Sequence, residues 1–231
     1  MNNERVNDER VNEERMMAKM DLEPLREAGI NCGVYFAVLL TAVVLYDVFP
    51  DWAALDCFLV LVPYLLITGF ILLRRRMGRP AFPTGDPGEA LVRFFLILVI
   101  LAMAALLFAI SNGLFRPMTL VGKLNHIGAI LEAPLAEEFV FRGALLTSLN
   151  RTRLGAMTFL RTEVSVFAGA AIFSVMHFVI FLAGGYGATD ALISSGSAFI
   201  ASLIFGVIYV RTQNIWYGVF LHTLLSFGHW N

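Results

Sequence analysis

Three ionisable side chains stand within six positions of an otherwise apolar stretch, APLAEEFVFRGALL at 133–146: Glu137, Glu138 and Arg142. A charge at the centre of a bilayer costs about 2.5–3.5 kcal/mol on insertion scales, so such groups need compensation or a purpose. Glu138 and Arg142 are four residues apart and can pair on one helix face. Glu137 is then left to face elsewhere, and we expect it to carry the chemistry.

Two histidines lie in other apolar segments, His177 in FSVMH and His222 in HTLLS. A single histidine in a membrane helix can simply bond a neighbouring helix, and the acid–base trio can be a structural ion-pair cluster. Two histidines beside a free glutamate favour a shared polar site instead. A carboxylate beside an imidazole can deprotonate a water, and a second imidazole can stabilise an oxyanion. The combination predicts hydrolysis of an amide within or beside the membrane.

The same residue types leave two other classes of site open. Glu137, His177 and His222 together could form an open zinc site, although the H-E-x-x-H signature of metalloprotease helices is absent. Intramembrane acids also serve proton-coupled transport. The lack of further membrane acids argues against a transporter.

The elements that must position these groups are predicted to be membrane helices. The 231-residue chain is 58% hydrophobic and 15% charged, whereas soluble domains are about 45–50% apolar and about 25% charged. An apolar run of about 20 residues can span the hydrocarbon core as a helix. The expected fold is therefore all-α, a polytopic integral membrane protein in which about seven transmembrane helices enclose a polar active site. The candidate spans are 29–48, 54–73, 94–115, 127–149, 164–183, 191–210 and 215–228.

The positions of Lys and Arg predict the orientation in the membrane. With the N-terminus in the cytoplasm, fourteen of the seventeen basic residues fall on inner segments. We therefore expect a multi-pass cell-membrane protein whose C-terminus lies outside. Residues 1–28 form a predicted charged cytoplasmic tail and 29–231 a transmembrane protease domain, with catalytic motifs at 132–228. A net charge of −1 without a basic patch argues against a nucleic-acid partner.

Three motifs, in order, resemble those of the CPBP family, the CAAX proteases and bacteriocin-processing intramembrane proteases. EEFVFR matches the family's EExxxR motif, FSVMH its FxxxH motif, and HTLLS stands in the place of its HxxxN motif. The resemblance implies an all-helical membrane core related to the type II CAAX prenyl protease. It also implies a glutamate-dependent mechanism without a required metal, so no cofactor is expected and zinc remains the alternative.

The resemblance also implies a role for each matching position. Glu137 is the general base, His177 helps it to bind and activate the water, and His222 is an oxyanion donor. Glu138 and Arg142 match the supporting acid and base of the first motif.

Two further supporting positions follow from the other motifs, Phe173 in FSVMH and Ser226 in HTLLS. Ser226 is a departure, since the family has Asn there. Serine can still donate a hydrogen bond, but losing an oxyanion donor outright can cost about 10²–10³ in rate. Either Ser226 substitutes, another group such as His229 helps, or this member cleaves slowly. The departure also keeps open a catalytically weak relative that binds peptides or acts as a bacteriocin immunity protein.

The partners that the resemblance implies are membrane lipids and a peptide or protein substrate with an apolar or lipidated tail. Prenylated C-terminal tails, bacteriocin leaders and bacterial C-terminal sorting signals are the candidate substrates.

Overall fold

The computed structural model describes the C-terminal part of the chain almost without interruption. The described residues are 22–23, 25–27, 29–43, 69, 85–89, 92, 99, 131 and 133–227. Most of the predicted tail at 1–28, and most of the predicted spans at 54–73 and 94–115, lie outside these residues. The count of seven spans and the tail boundary therefore stay predictions.

Helices account for most of the described chain, as the composition predicts. Residues 29–43 form a first helix, α1, within the predicted span 29–48. The elements after residue 131 are α2 (Ala133–Glu138), a π-helix (Phe139–Leu146), α3 (Thr147–Asn150), α4 (Arg153–Ala156), β1 (Thr158–Phe159), β2 (Thr162–Glu163), α5 (Val164–Ala183), α6 (Ala188–Thr212) and α7 (Trp216–Phe227).

The segments α2, π-helix and α3 follow one another without a break and carry the EEFVFR motif, so we call residues 133–150 the motif helix. All eight residues of its π segment are buried. A π-helix is rare, and such segments often occur at functional sites. The motif helix is thus an interior helix, and its polar side chains point into protein.

Two helices among the described residues are long and apolar enough to cross a membrane. They are α5, with 20 residues and a mean hydropathy of 2.3, and α6, with 25 residues and a mean hydropathy of 2.0. The predicted span 164–183 coincides with α5, and 191–210 lies within α6. Large apolar side chains stay exposed on both, as a lipid solvent would favour: Ile172, Val175, Val179 and Leu182 on α5, and Leu192, Ile193, Ile200 and Ile204 on α6.

Small residues bring α5 and α6 close together. Ser174 and Ser195 bond reciprocally, since each hydroxyl donates to the other residue's backbone carbonyl oxygen at 2.8 Å. At Gly206 an added Cβ would lie only 2.8 Å from Val166 Cγ1. Small side chains and polar bonds are the usual means by which membrane helices associate. The pair forms the wall against which the motif helix packs.

A short β-hairpin joins the motif helix to α5 and departs from the all-α prediction. Thr158 pairs with Glu163 and Phe159 with Thr162 in antiparallel register. The two turn residues, Leu160 and Arg161, both have positive φ, at 50° and 63°. Two-residue hairpin turns favour such angles, but they usually contain Asn or Gly, so the sequence carries no hairpin signal at this point.

Candidate active site

The predicted pair of Glu138 and Arg142 is present in the motif helix. Arg142 Nη1 lies 3.0 Å from Glu138 Oε1, and both side chains are almost completely buried, with 2% and 0% exposure. Removing one partner of a buried pair leaves an uncompensated charge and destabilises a protein by about 3–5 kcal/mol. The two residues therefore have to be treated as one unit.

Arg142 is held from three further directions. Its Nη2 donates to the backbone carbonyl of Ser202 on α6 at 3.3 Å. Its Cζ lies 5.2 Å from the ring centre of Phe173 on α5 and 5.2 Å from that of Phe205 on α6. A planar guanidinium between two aromatic faces gains cation–π attraction on both sides. Phe173, a predicted supporting residue, thus packs against Arg142.

His222 on α7 lies between the two glutamates. Its Nδ1 is 3.2 Å from Glu138 Oε1, and its Nε2 is 3.6 Å from Glu137 Oε2. Glu138 Oε1 also faces Arg142, so this oxygen is an acceptor and Nδ1 donates to it. In a neutral ring Nε2 then carries a lone pair. The oxyanion role predicted for His222 therefore requires a proton on both ring nitrogens.

A glycine one turn before His222 allows α7 to approach this closely. A Cβ added at Gly218 would collide with Glu138 Oε2 and lie 2.9 Å from its Cδ. Only the bare backbone fits against the buried carboxylate at this point. Sequence reasoning missed Gly218, because nothing in the motifs marks it.

Within the described part of the chain, one oxygen of Glu137 is bonded and the other has no hydrogen-bond partner. Tyr35 on α1 donates its hydroxyl proton to Glu137 Oε1 at 2.8 Å. Oε2 is buried and has no hydrogen-bond donor among the described residues. Unpaired buried polar atoms are rare, and a bound water or a functional role often accounts for one. Sequence reasoning missed Tyr35 entirely.

His177 on α5 stands one helical turn from Phe173 and at the rim of this cluster. Its Nδ1 is 3.1 Å from the Phe173 carbonyl oxygen, which can only accept, so Nδ1 donates and a neutral ring keeps a lone pair on Nε2. The His177 and Phe173 rings are 4.2 Å apart. Within the described part of the chain, no hydrogen bond or ion pair joins His177 to Glu137. The structure thus brings Glu137, Glu138, Arg142 and His222 into direct contact, and His177 only through Phe173.

Ser226, the position of the family's Asn, donates its hydroxyl proton to the backbone carbonyl of His222 at 3.0 Å. A serine has one such proton. In this conformation the proton is used in a hydrogen bond to the backbone of its own helix. His229 lies outside the described residues, so its predicted help stays a prediction.

The geometry of Glu137, His177 and His222 can be compared with that of a zinc site. Zinc needs its nitrogen and oxygen ligands about 2.0–2.2 Å from one point. No group of three or more His, Cys, Asp or Glu side chains among residues 133–227 and the shorter described segments could hold a metal ion. Glu137, His177 and His222 are thus not placed as a three-ligand set in this structure, and the expected absence of a cofactor stays a prediction.

A comparison with models of protein families gives a match over the C-terminal part of the chain. Residues 120–228 match the family model described as Type II CAAX prenyl endopeptidase Rce1-like. The matched region contains all three motifs, so the predicted resemblance to CAAX proteases is confirmed. No curated protein and no solved structure matches the chain.

Proposed function

We propose that this chain is a glutamate-dependent intramembrane endopeptidase. The match of residues 120–228 to the Rce1-like type II CAAX prenyl endopeptidase model supports an activity of the CAAX protease type. The observation that carries the proposal is the second oxygen of Glu137. It is buried, it lacks a donor among the described residues, and it lies 3.6 Å from His222 Nε2. A water bound at that oxygen is held by the base Glu137 and lies beside His222, the proposed oxyanion donor.

The proposed reaction uses Glu137 as both acceptor and donor of one proton. Glu137 Oε2 takes a proton from the water while the water oxygen bonds to the scissile carbonyl carbon. The carbonyl oxygen becomes an oxyanion, and a doubly protonated His222 donates to it from Nε2. When the C–N bond breaks, the proton on Glu137 passes to the leaving nitrogen. Glu138 Oε1 accepts a hydrogen bond from His222 Nδ1 throughout and keeps the ring oriented.

His177 is assigned the second contact to the water. Since its Nδ1 donates to the Phe173 carbonyl, a neutral ring can accept from the water at Nε2. In this role the water bridges the His177 ring and Glu137, because no direct bond joins the two side chains among the described residues. In the proposed mechanism Glu137 and His177 activate the water without a metal.

We propose as substrate a peptide or protein with an apolar or lipidated tail that reaches the site from the membrane. The exposed apolar faces of α5 and α6 support contact with membrane lipids. The proposed orientation keeps the N-terminus in the cytoplasm and the C-terminus outside.

Comparative proteomics of membranes tests the activity and finds the substrate together. Cells carrying the wild type, Glu137→Gln or Glu163→Gln are compared for trimmed protein tails. Glu163 lies on β2, outside the site, so it is the matched control. We expect trimmed tails with the wild type and the control, and intact tails with Glu137→Gln. Equal trimming in all three would refute the assignment of Glu137.

A second candidate is a catalytically weak relative that binds peptides, for instance an immunity protein. The hydrogen bond of Ser226 favours it, since the hydroxyl that replaces the family's Asn donates along its own helix. Under this reading Glu137→Gln would still protect cells against a bacteriocin. Loss of protection in that variant would count against it.

A further inference from the structure

We infer that Tyr35 is a positioning residue for Glu137, and that α1 is therefore part of the catalytic unit. This inference rests on the proposed function, since it explains how the base is held. Tyr35 belongs to none of the three motifs, and it lies outside the residues 120–228 that match the Rce1-like family model.

The tyrosine is buried and held in place by its ring. Tyr35 has 2% exposure and belongs to the hydrophobic core that the motif helix also forms. Its ring packs edge-on against Phe141, with centroids 5.6 Å apart. Phe141 in turn packs against Phe173 at 4.7 Å. A chain of aromatic contacts therefore fixes the direction of the hydroxyl, and that direction is toward Glu137 Oε1.

The hydrogen bond from Tyr35 gives the two oxygens of the Glu137 carboxylate different roles. Tyr35 donates to Oε1 at 2.8 Å, while Oε2 faces His222. A carboxylate with one oxygen fixed cannot rotate freely about its terminal bond. The oxygen without a donor then stays on the side of His222, which is the side where the water is needed. Tyr35 acts through Glu137 and need not touch the substrate.

The other neighbours of Glu137 do not supply this constraint. Glu138 and Arg142 bond to each other, and His222 Nε2 lies beyond ordinary hydrogen-bond length at 3.6 Å. The Tyr35 hydroxyl is thus the one hydrogen-bond donor to Glu137 among the described residues. Removing it takes away this donor to Glu137 and leaves the partners of the Glu138–Arg142 pair unchanged.

The test is Tyr35→Phe, which keeps the ring and removes the hydroxyl. Tyr209→Phe is the matched control. It removes another hydroxyl from a tyrosine with 2% exposure, one that lies 2.8 Å from Thr147 Oγ1 at the start of α3. We expect kcat to fall about 10- to 100-fold in Tyr35→Phe, the loss typical of a misplaced reacting group, with KM within about twofold of the wild type. Tyr209→Phe should keep kcat even if it lowers thermal stability equally.

A second measurement does not depend on proteolysis. The infrared band of the Glu137 carboxylate is identified as the band that disappears in Glu137→Gln. It should shift in Tyr35→Phe and stay in place in Tyr209→Phe. An unshifted band, or an unchanged kcat in a protein whose cleavage depends on Glu137, would overturn the role of Tyr35. If Glu137→Gln itself cleaves normally, the proposed function fails, while the infrared result still decides whether Tyr35 orients Glu137.

Discussion

Replacing Gly218 by alanine is a one-carbon perturbation aimed at the contact between α7 and Glu138. The added Cβ would collide with Glu138 Oε2 and lie 2.9 Å from Cδ and 3.5 Å from Cγ. The carboxylate cannot give way cheaply, because Arg142 at 3.0 Å and His222 at 3.2 Å hold its other oxygen. Either Glu138 leaves Arg142, or α7 moves away and takes His222 with it.

The two responses differ in their cost in free energy of unfolding. Separating the buried ion pair would destabilise the fold by about 3–5 kcal/mol, whereas overpacking that a small backbone shift absorbs costs typically about 1–3 kcal/mol. The shift of α7 is therefore the favoured response. It displaces His222 from Glu137, and a misplacement of about 1 Å can reduce a rate about 100-fold. We expect Gly218→Ala to fold, to lose about 1–3 kcal/mol of stability, and to lose about 100-fold in cleavage rate.

Gly169→Ala on α5 is the matched control for this experiment. A Cβ added at Gly169 meets nothing within 4 Å, and alanine in a helix interior is favoured over glycine by up to about 1 kcal/mol. The control should be as active as the wild type and no less stable. Thermal unfolding in detergent and cleavage of the identified substrate measure both effects. Full activity and stability in Gly218→Ala would refute the close approach of α7 to Glu138 and the role that we derive from it.

Two more substitutions test the surroundings of the site. Arg142→Lys should lower the free energy of unfolding by about 1.5–3 kcal/mol, since a lysine cannot pack flat between Phe173 and Phe205 while bonding both Glu138 and Ser202; unchanged thermal unfolding would contradict this. Ser226→Asn supplies an amide donor on the helix of His222 and should raise the cleavage rate by at least about 100-fold where the missing donor limits catalysis. An unchanged rate in that variant would mean that position 226 does not limit the reaction.

Local spacing was enough to predict part of the site. The pair of Glu138 and Arg142 follows from a four-residue spacing on one helix, and the bounds of α5 follow from an apolar run without charges. Membrane helices suit such reasoning because their length and hydropathy are set by the bilayer. The meeting of His222 with Glu137 followed from polarity, since a membrane interior offers buried polar side chains few partners other than one another. The contact of His222 with Glu138 was not predicted.

The features that the sequence did not predict arise from contacts between residues far apart in the chain. Tyr35 reaches Glu137 across 102 positions, and a tyrosine in an apolar segment looks like any other core aromatic. Gly218 matters only because a carboxylate from another helix lies against it. His177 shows the opposite case, since its motif predicts a place at the base, whereas its nearest contacts are the carbonyl and ring of Phe173. These features depend on how helices pack, and no local pattern encodes that.

The central claim is that Glu137, without a metal, activates the water that cleaves the peptide bond. The most direct measurement is the cleavage rate of the purified protein in lipid vesicles, before and after exhaustive chelation, for the wild type and Glu137→Gln. We predict that the wild type keeps its rate after chelation, and that the variant is folded and inserted but loses cleavage under both conditions. Cleavage by Glu137→Gln, or wild-type cleavage that is lost on chelation and restored by zinc, would contradict the account.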